Sequence, residues 1–222
     1  LEKQYYHAEQ LAETQFSYGR VLRHNEADGR LLPHSARDGL PDNEDVIENL
    51  LPDPPVTSAI LYSKDMLEKL GGFDERLASR EDYDLFARAI LKGYNPAACQ
   101  APIYAYRSHD DPHRVSRRAD RASFASQLEM FRRQASMLVE IEDETRQRNI
   151  GKGLAPTIWI TGRNCLRTGC EEIAMEMFDV AVSIDATHAP RGTVAYRSFA
   201  KFLGPVRTEK FLKALKARYF GN

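Results

Sequence analysis

From Arg117 onward the hydrophobic pattern of this chain keeps a single period. Phe124, Leu128, Phe131, Ala135, Leu138 and Val139 recur at helical spacing, so they form one stripe along a long helix. Further helical patterns run from Leu154 to Thr168, Glu171 to Ile184, Pro190 to Leu203 and Thr208 to Tyr219. Nothing after Arg117 alternates with the two-residue period of a half-buried strand. Before Arg117 the pattern is mixed. Leu1 to about Gln15 reads as helix and Phe16 to Leu22 as strand. Val56 to Tyr62 reads as a buried strand, and Ala97–Cys99 and Ile103–Arg107 as two short ones. Helices are expected over Lys64–Leu70, capped by Ser63 and stopped by Gly71, and over Glu81–Lys92, stopped by Gly93. Asp42 is placed to cap a short helix ending at Leu51. The expected architecture is therefore α/β over residues 1–116 followed by an all-α extension over 117–222. Gly151 and Gly153 are expected to break the long helix and act as a hinge.

Charge and cysteine usage narrow the function classes. Lys+Arg 31 against Asp+Glu 32 leaves a net charge of −1, without the basic excess of a general nucleic-acid binder. No run approaches the ~18 apolar residues of a membrane span, and no charged-then-apolar leader opens the chain. The reading is a cytoplasmic protein, or one peripheral at the inner face of a membrane. Cys99, Cys165 and Cys170 form neither a disulfide framework nor a zinc pattern, and packing is the expected role of Cys165 and Cys170, which fall within an apolar helical pattern. The chain opens Leu1-Glu2-Lys3 within a helical pattern and without Met, as a piece cut from a longer protein would.

The stretch Thr57–His109 carries the chemistry. Gly71-Gly72 after a helix permits a sharp turn and a close approach by another group, and Phe73 then forms an apolar plug with Asp74 and Glu75 behind it. Taken alone this is also an ordinary helix stop. Glu81-Asp82-Tyr83-Asp84 opens a helix, where acids complement the helix dipole. Asp84 and Arg88 stand at i,i+4, the spacing of a routine surface pair. Asp82 aimed into a cleft could instead take a proton from a substrate hydroxyl. Tyr106-Arg107-Ser108-His109 ends a strand and enters a loop, where Arg107 and His109 are placed to hold a diphosphate or, for His109, a metal ion. Arg107–Arg121 is rich in Arg and His. It reads as a solvated basic loop, or as a flap over donor phosphates or a lipid-diphosphate acceptor.

Together these pieces resemble the second half of the family 2 glycosyltransferases, nucleotide-binding α/β enzymes of the GT-A fold. The order is a Ser/Thr-rich strand, a helix, Gly71-Gly72-Phe73-Asp74-Glu75, Glu81-Asp82-Tyr83-Asp84-Leu85, a helix ending in Gly93, and Tyr106-Arg107-x-His109. Upstream, Tyr18-Gly19-Arg20-Val21 and Asp28-Gly29-Arg30 look like the strand and turn that follow the family's metal-binding strand. The resemblance covers about residues 1–115. It implies inverting transfer of a sugar from a nucleotide-sugar donor to a hydroxyl of a glycan or lipid-linked acceptor, in surface polysaccharide synthesis. It implies Asp82 as catalytic base beside Glu81, with Gly72, Phe73 and Asp74 on the acceptor side and Arg107 and His109 near the diphosphate. It also implies a divalent metal, Mg or Mn. The family's Asp-x-Asp metal motif has no counterpart here, because Asp82-x-Asp84 opens a helix. The donor-binding first half is expected to be missing, and the chain alone to be inactive.

In the extension, Gly162, Gly169, Ala174, Phe178, Ala181 and Asp185 fit one tetratricopeptide-like helix pair around 155–186, with Trp159 in the core. The alternative function is a non-catalytic interaction module that binds a protein partner through this tail. The chain's end is basic, with Phe211, Leu212 and Leu215 as its apolar residues. It reads as a solvated helix face, or as one that touches an anionic membrane.

Overall fold

A computed structural model describes residues 2–24, 29–33, 46–107 and 120–220. The chain divides into two compact units, Leu1–Arg117 and Arg118–Asn222.

The first unit is α/β and is organised by one central strand. Helix α1 (Glu2–Glu9) precedes β1 (Gln15–His24), and β2 (Leu31–Pro33) folds back on it. Then come α2 (Val46–Leu50), a turn of 3-10 helix (Thr57–Ala59), β3 (Ile60–Leu61), α3 (Lys64–Leu70), α4 (Glu81–Leu91) and β4 (Asn95–Arg107). On one edge of β1, β4 runs parallel along its whole length, from Gln15↔Asn95 to His24↔Arg107. On the other edge, β3 pairs antiparallel at Ser17 and Tyr18, and β2 at Leu22 to His24. A parallel strand flanked by its neighbours must be covered, and β1 is: Phe16 and Tyr18 are fully buried. Phe16 meets the Phe86 ring of α4 edge-on at 5.8 Å and the Tyr62 ring at 5.1 Å. That contact seats α4 on the start of the sheet.

Several expectations for this unit change. The first helix is short, Glu2–Glu9, because its apolar residues do not continue to one face; its buried residue is Gln4. The strand expected over Val56–Tyr62 is reduced to Ile60–Leu61, since Thr57–Ala59 turns as 3-10 helix. The two short strands expected near 97–99 and 103–107 are one strand of 13 residues. Pro102 does not end it because the ladder shifts register there, between Gly19/Arg20 and Arg20/Val21. Gly19 belongs to this irregularity: a Cβ on it would stand 2.5 Å from Ile103 Cδ1. The expected Asp42 cap and Asp28 of the expected Asp28-Gly29-Arg30 turn lie outside the described residues.

The second unit is all-α over its described residues: α5 (Arg121–Val139), α6 (Glu144–Arg167), α7 (Glu171–Asp185), α8 (Val194–Leu203) and α9 (Pro205–Phe220). The break between the two long helices falls at Glu140–Asp143, not at Gly151–Gly153. Asp143 caps α6 by accepting from the N–H groups of Thr145 and Arg146 at 2.9 and 3.1 Å. Both glycines are buried inside α6, where a Cβ on Gly151 would lie 3.5 Å from Ile184. They lie within the continuous helix rather than at a hinge. Pro156 also sits within α6, and beside it the Thr157 hydroxyl donates back one turn to Gly153 O at 2.9 Å.

Helices α6 and α7 pair through small residues. A Cβ on Gly162 would stand 3.0 Å from the Phe178 ring, and Ala174 and Ala181 are fully buried. Trp159 lies in this core, 4.6 Å from the Phe178 ring, and donates through Nε1 to Tyr196 Oη at 3.3 Å. The helix expected from Pro190 begins at Val194, capped by Thr193 Oγ1. All three cysteines are buried and free. Burial pushes the Cys165 thiol up to about 12, with Cys170 adding to the shift.

Candidate functional site

Asp82 stands exposed in the first turn of α4, and its carboxylate is held from two sides. Oδ2 accepts from Thr57 Oγ1 at 2.9 Å, and Oδ1 accepts from the backbone N–H of Tyr83 at 2.7 Å. Thr57 is the first residue of the 3-10 turn, and that turn is itself anchored. The buried side chain of Gln4 donates to Ala59 O at 3.0 Å and reaches Ser17 O at 3.5 Å. Helix α1 thus fixes the 3-10 turn against β1, and the turn presents a hydroxyl to Asp82.

The residue before the helix is strained. Arg80 caps α4 in the left-handed region, φ 66 and ψ 24, which a side chain with a Cβ seldom occupies. Its guanidinium lies 5.7 Å from the centre of the Tyr83 ring. Burial lowers the Arg80 pKa, and the charges of Tyr83 and Asp82 oppose the shift. Tyr62 closes another side. Burial raises its phenol well above the ordinary range, Asp82's negative charge raises it further, and Arg88 draws it back in part. The Tyr62 phenol is therefore a neutral neighbour of Asp82 at working pH.

Gly71 and Gly72 end α3 in a Schellman turn. Gly71 N–H donates to Glu68 O at 3.1 Å and Gly72 N–H to Leu67 O at 2.9 Å, with φ of 76° and 67°. A Cβ on either would meet nothing within 4 Å, so the space beside the turn is open. The expected surface pair Asp84–Arg88 is instead a buried strut behind this turn. Asp84 is 1% exposed and accepts from Arg88 Nε at 2.6 Å. The same guanidinium donates to Gly72 O at 2.7 Å and to Leu70 O. Helical spacing alone would put this pair in water; it is buried because Arg88 reaches back to the end of α3. The strut ties the Gly71–Gly72 turn to the helix that carries Asp82.

Phe73 is not a plug. Its ring is 48% exposed, thrown outward by the turn before it. Asp74 is engaged inside its own loop, accepting from Arg76 N–H at 3.1 Å and, as a fork, from Arg76 Nε and Nη2 at 2.8 and 2.9 Å. Glu81 is half-buried at the start of α4. The backbone of Arg107 ends β4 opposite His24. His109 and most of the 107–121 loop lie outside the described residues. Sequence reasoning singled out Asp82 but missed Gln4, Thr57, Tyr62, Arg80 and Arg88 as its supports. No sequence signal marks them: the left-handed backbone of Arg80 shows only in the structure.

Among the described residues no three His, Cys, Asp or Glu side chains gather as metal ligands. Around Asp82 stand a hydroxyl, an amide N–H, a guanidinium and a neutral phenol. That neighbourhood offers hydrogen-bond donors to a carboxylate rather than oxygens to a cation.

Comparison with curated proteins gave no match, and neither did comparison with solved structures. Comparison with family models gave one: residues 36–142 match the model described as Glycosyltransferase like family 2, slightly under half of the chain. The matched segment contains the 3-10 turn, the Schellman turn, all of α4 and β4, and α5. It leaves out Tyr18–Val21, which the sequence resemblance had included, and runs beyond residue 115, where that resemblance ended. Together with an α/β unit and a helical extension consistent with a partial GT-A domain, this match supports a glycosyltransferase kind.

Proposed function

We propose that the chain takes part in inverting glycosyl transfer, with Asp82 as the general base. The observation that carries this is the carboxylate of Asp82, exposed at a helix start yet held by Thr57 Oγ1 and the Tyr83 N–H. A base must be accessible to its substrate and fixed in orientation. Two donors on different oxygens fix it, and exposure leaves its remaining lone pairs for an acceptor hydroxyl. The acceptor oxygen attacks the anomeric carbon of a nucleotide-activated sugar, Asp82 takes the hydroxyl proton, and the bond to the diphosphate breaks on the opposite face. The anomeric configuration inverts in this single displacement.

In this reading the acceptor is a glycan or lipid-linked sugar lying over the open side of the Gly71–Gly72 turn. The exposed Phe73 ring offers it an apolar face to stack on. Asp74 shapes that loop through Arg76 rather than touching the acceptor. Arg107 and His109 are assigned to the diphosphate side. Glu81 sets the negative edge of the helix start.

The test is Asp82→Asn in the full-length enzyme. It keeps the hydrogen bond to Thr57 through the amide oxygen but cannot accept the proton. Release of nucleoside diphosphate and appearance of glycosylated acceptor should fall by about 10²–10⁴-fold, with the circular dichroism spectrum unchanged. Transfer at the unaltered rate by a folded Asp82→Asn variant would remove Asp82 as the base and this reading with it.

A further inference from the structure

The end of the chain has a charge opposite to the rest of it. Residues 191–222 hold eight Lys and Arg against one acid, Glu209, whereas residues 1–190 hold 23 against 31. That one acid is not available to offset the cations. Glu209 is buried and taken by Arg163 and by Arg167 at 3.5 Å. Lys210 pairs with Glu171 at 2.7 Å. Among the described residues no acid pairs with Arg197, Lys201, Arg207 or Arg218, and all four are exposed.

The same two helices show large apolar side chains to solvent. Phe202 of α8 is 85% exposed, and Phe199, Leu203, Phe211 and Leu215 are each more than two-fifths exposed. They are one surface rather than scattered positions, because the Phe199 and Phe211 rings stand 5.9 Å apart across the α8–α9 junction. Helix α8 keeps its core contacts through Tyr196 and Ala200 on another face. On α9, helical spacing brings Arg207, Phe211, Leu215 and Arg218 onto one stripe, apolar in the middle and cationic at both ends.

We propose that α8 and α9 form a docking surface for an anionic lipid bilayer. A soluble protein seldom exposes so many large apolar groups together without a partner. The surplus of unpaired cations around this patch selects a negatively charged one. Phenyl rings inserted at the headgroup boundary, with Lys and Arg flanking them, are what an interfacial helix needs. No described helix is long and apolar enough to cross a membrane, so the contact is one of lying on the surface. The inference does not depend on the transfer reaction, and Asp82→Asn leaves it untouched.

The experiment is co-sedimentation of the full chain with vesicles of phosphatidylcholine alone and of phosphatidylcholine mixed with phosphatidylglycerol. Binding is expected to the mixed vesicles only, and to weaken as salt rises. Phe199→Ser with Phe202→Ser removes the apolar half. Lys201→Glu with Arg207→Glu reverses part of the charge. Each pair should lower the bound fraction at least tenfold, with Trp159 fluorescence unchanged as proof that the helical core is intact. Binding to neither vesicle, or equal binding to both, overturns the proposal. So does a concentration-dependent dimer lost in the Phe199→Ser, Phe202→Ser variant, or binding of nucleic acid in place of vesicles.

Discussion

Replacing Arg88 by Leu tests whether the strut behind the Gly71–Gly72 turn is structural. The wild-type guanidinium satisfies three acceptors: Asp84 Oδ2, Gly72 O and Leu70 O. Leucine satisfies none of them. Asp84 is 1% exposed, so its carboxylate would lose a neighbouring cation that water replaces poorly. Breaking one side of a buried ion pair costs about 3–5 kcal/mol. Arg88 is itself 18% exposed, which lets some water follow, so the low end applies, about 3 kcal/mol. At a urea m-value of about 2 kcal/mol/M, the midpoint for the first unit should fall by about 1.5 M. Hydrogen exchange over residues 64–91 locates the loss, since the α3 end and α4 start should open together. Asp84→Leu combined with Arg88→Leu should regain part of the stability, because two apolar groups leave no buried charge. A single variant within 1 kcal/mol of the parent, or a double variant less stable than the single one, would refute the strut.

Other perturbations read other parts of the argument. Thr57→Val removes one charge-assisted hydrogen bond to Asp82, about 1.4 kcal/mol or tenfold in kcat. KM should hold, Thr57→Ser should restore the rate, and the loss should vanish in an Asp82→Asn background. Gly162→Ala forces a Cβ to 3.0 Å from Phe178 and 3.2 Å from Met177; unfolding followed by Trp159 fluorescence should show about 1–3 kcal/mol of overpacking. The Cys165 thiol, pushed up by burial to about 12, should resist iodoacetamide at pH 8 while the chain is folded. Its raised pKa contributes stability below the unfolded thiol range, lost as pH climbs from there toward 12. Arg80→Gly relieves the left-handed backbone at φ 66 and should leave the chain as stable or more so, yet slow transfer by loosening the approach to Asp82.

What the sequence made legible follows from local rules. Ser63 caps α3 by accepting from Met66 N–H, and Gly71 stops it in the left-handed conformation, as their residue types dictate. The single helical period after Arg117 matches the described helices, and Asp82 lies in the helix start where its acidic neighbours placed it. Failures occurred where tertiary contacts override local preference. Two short strands were expected near 97–99 and 103–107, but a register shift against β1 absorbs Pro102 within one. Two glycines argued for a hinge, but α7 packs on Gly151 and keeps α6 whole. Spacing put Asp84 and Arg88 in water, because periodicity carries no record of the Gly72 carbonyl 16 residues away.

The supports of Asp82 come from separate parts of the chain, and their character bears on what Asp82 is for. Gln4 anchors the 3-10 turn, the turn supplies the Thr57 hydroxyl, Arg80 supplies positive charge, and Tyr62 supplies a half-buried neutral ring. A carboxylate meant to ligate a cation needs further oxygens beside it, as in oxygen-rich magnesium or calcium sites. Asp82 has donors instead, placed on both of its oxygens. A carboxylate meant only to cap its helix would need the Tyr83 N–H and no second partner from 25 residues upstream. Thr57 and the strained Arg80 are therefore the two features that a purely structural acid leaves unexplained. Strain at φ 66 is retained where it positions something, and the group directly beyond it is Asp82. The role we propose for Asp82, a base that must meet a hydroxyl in one orientation, would account for both.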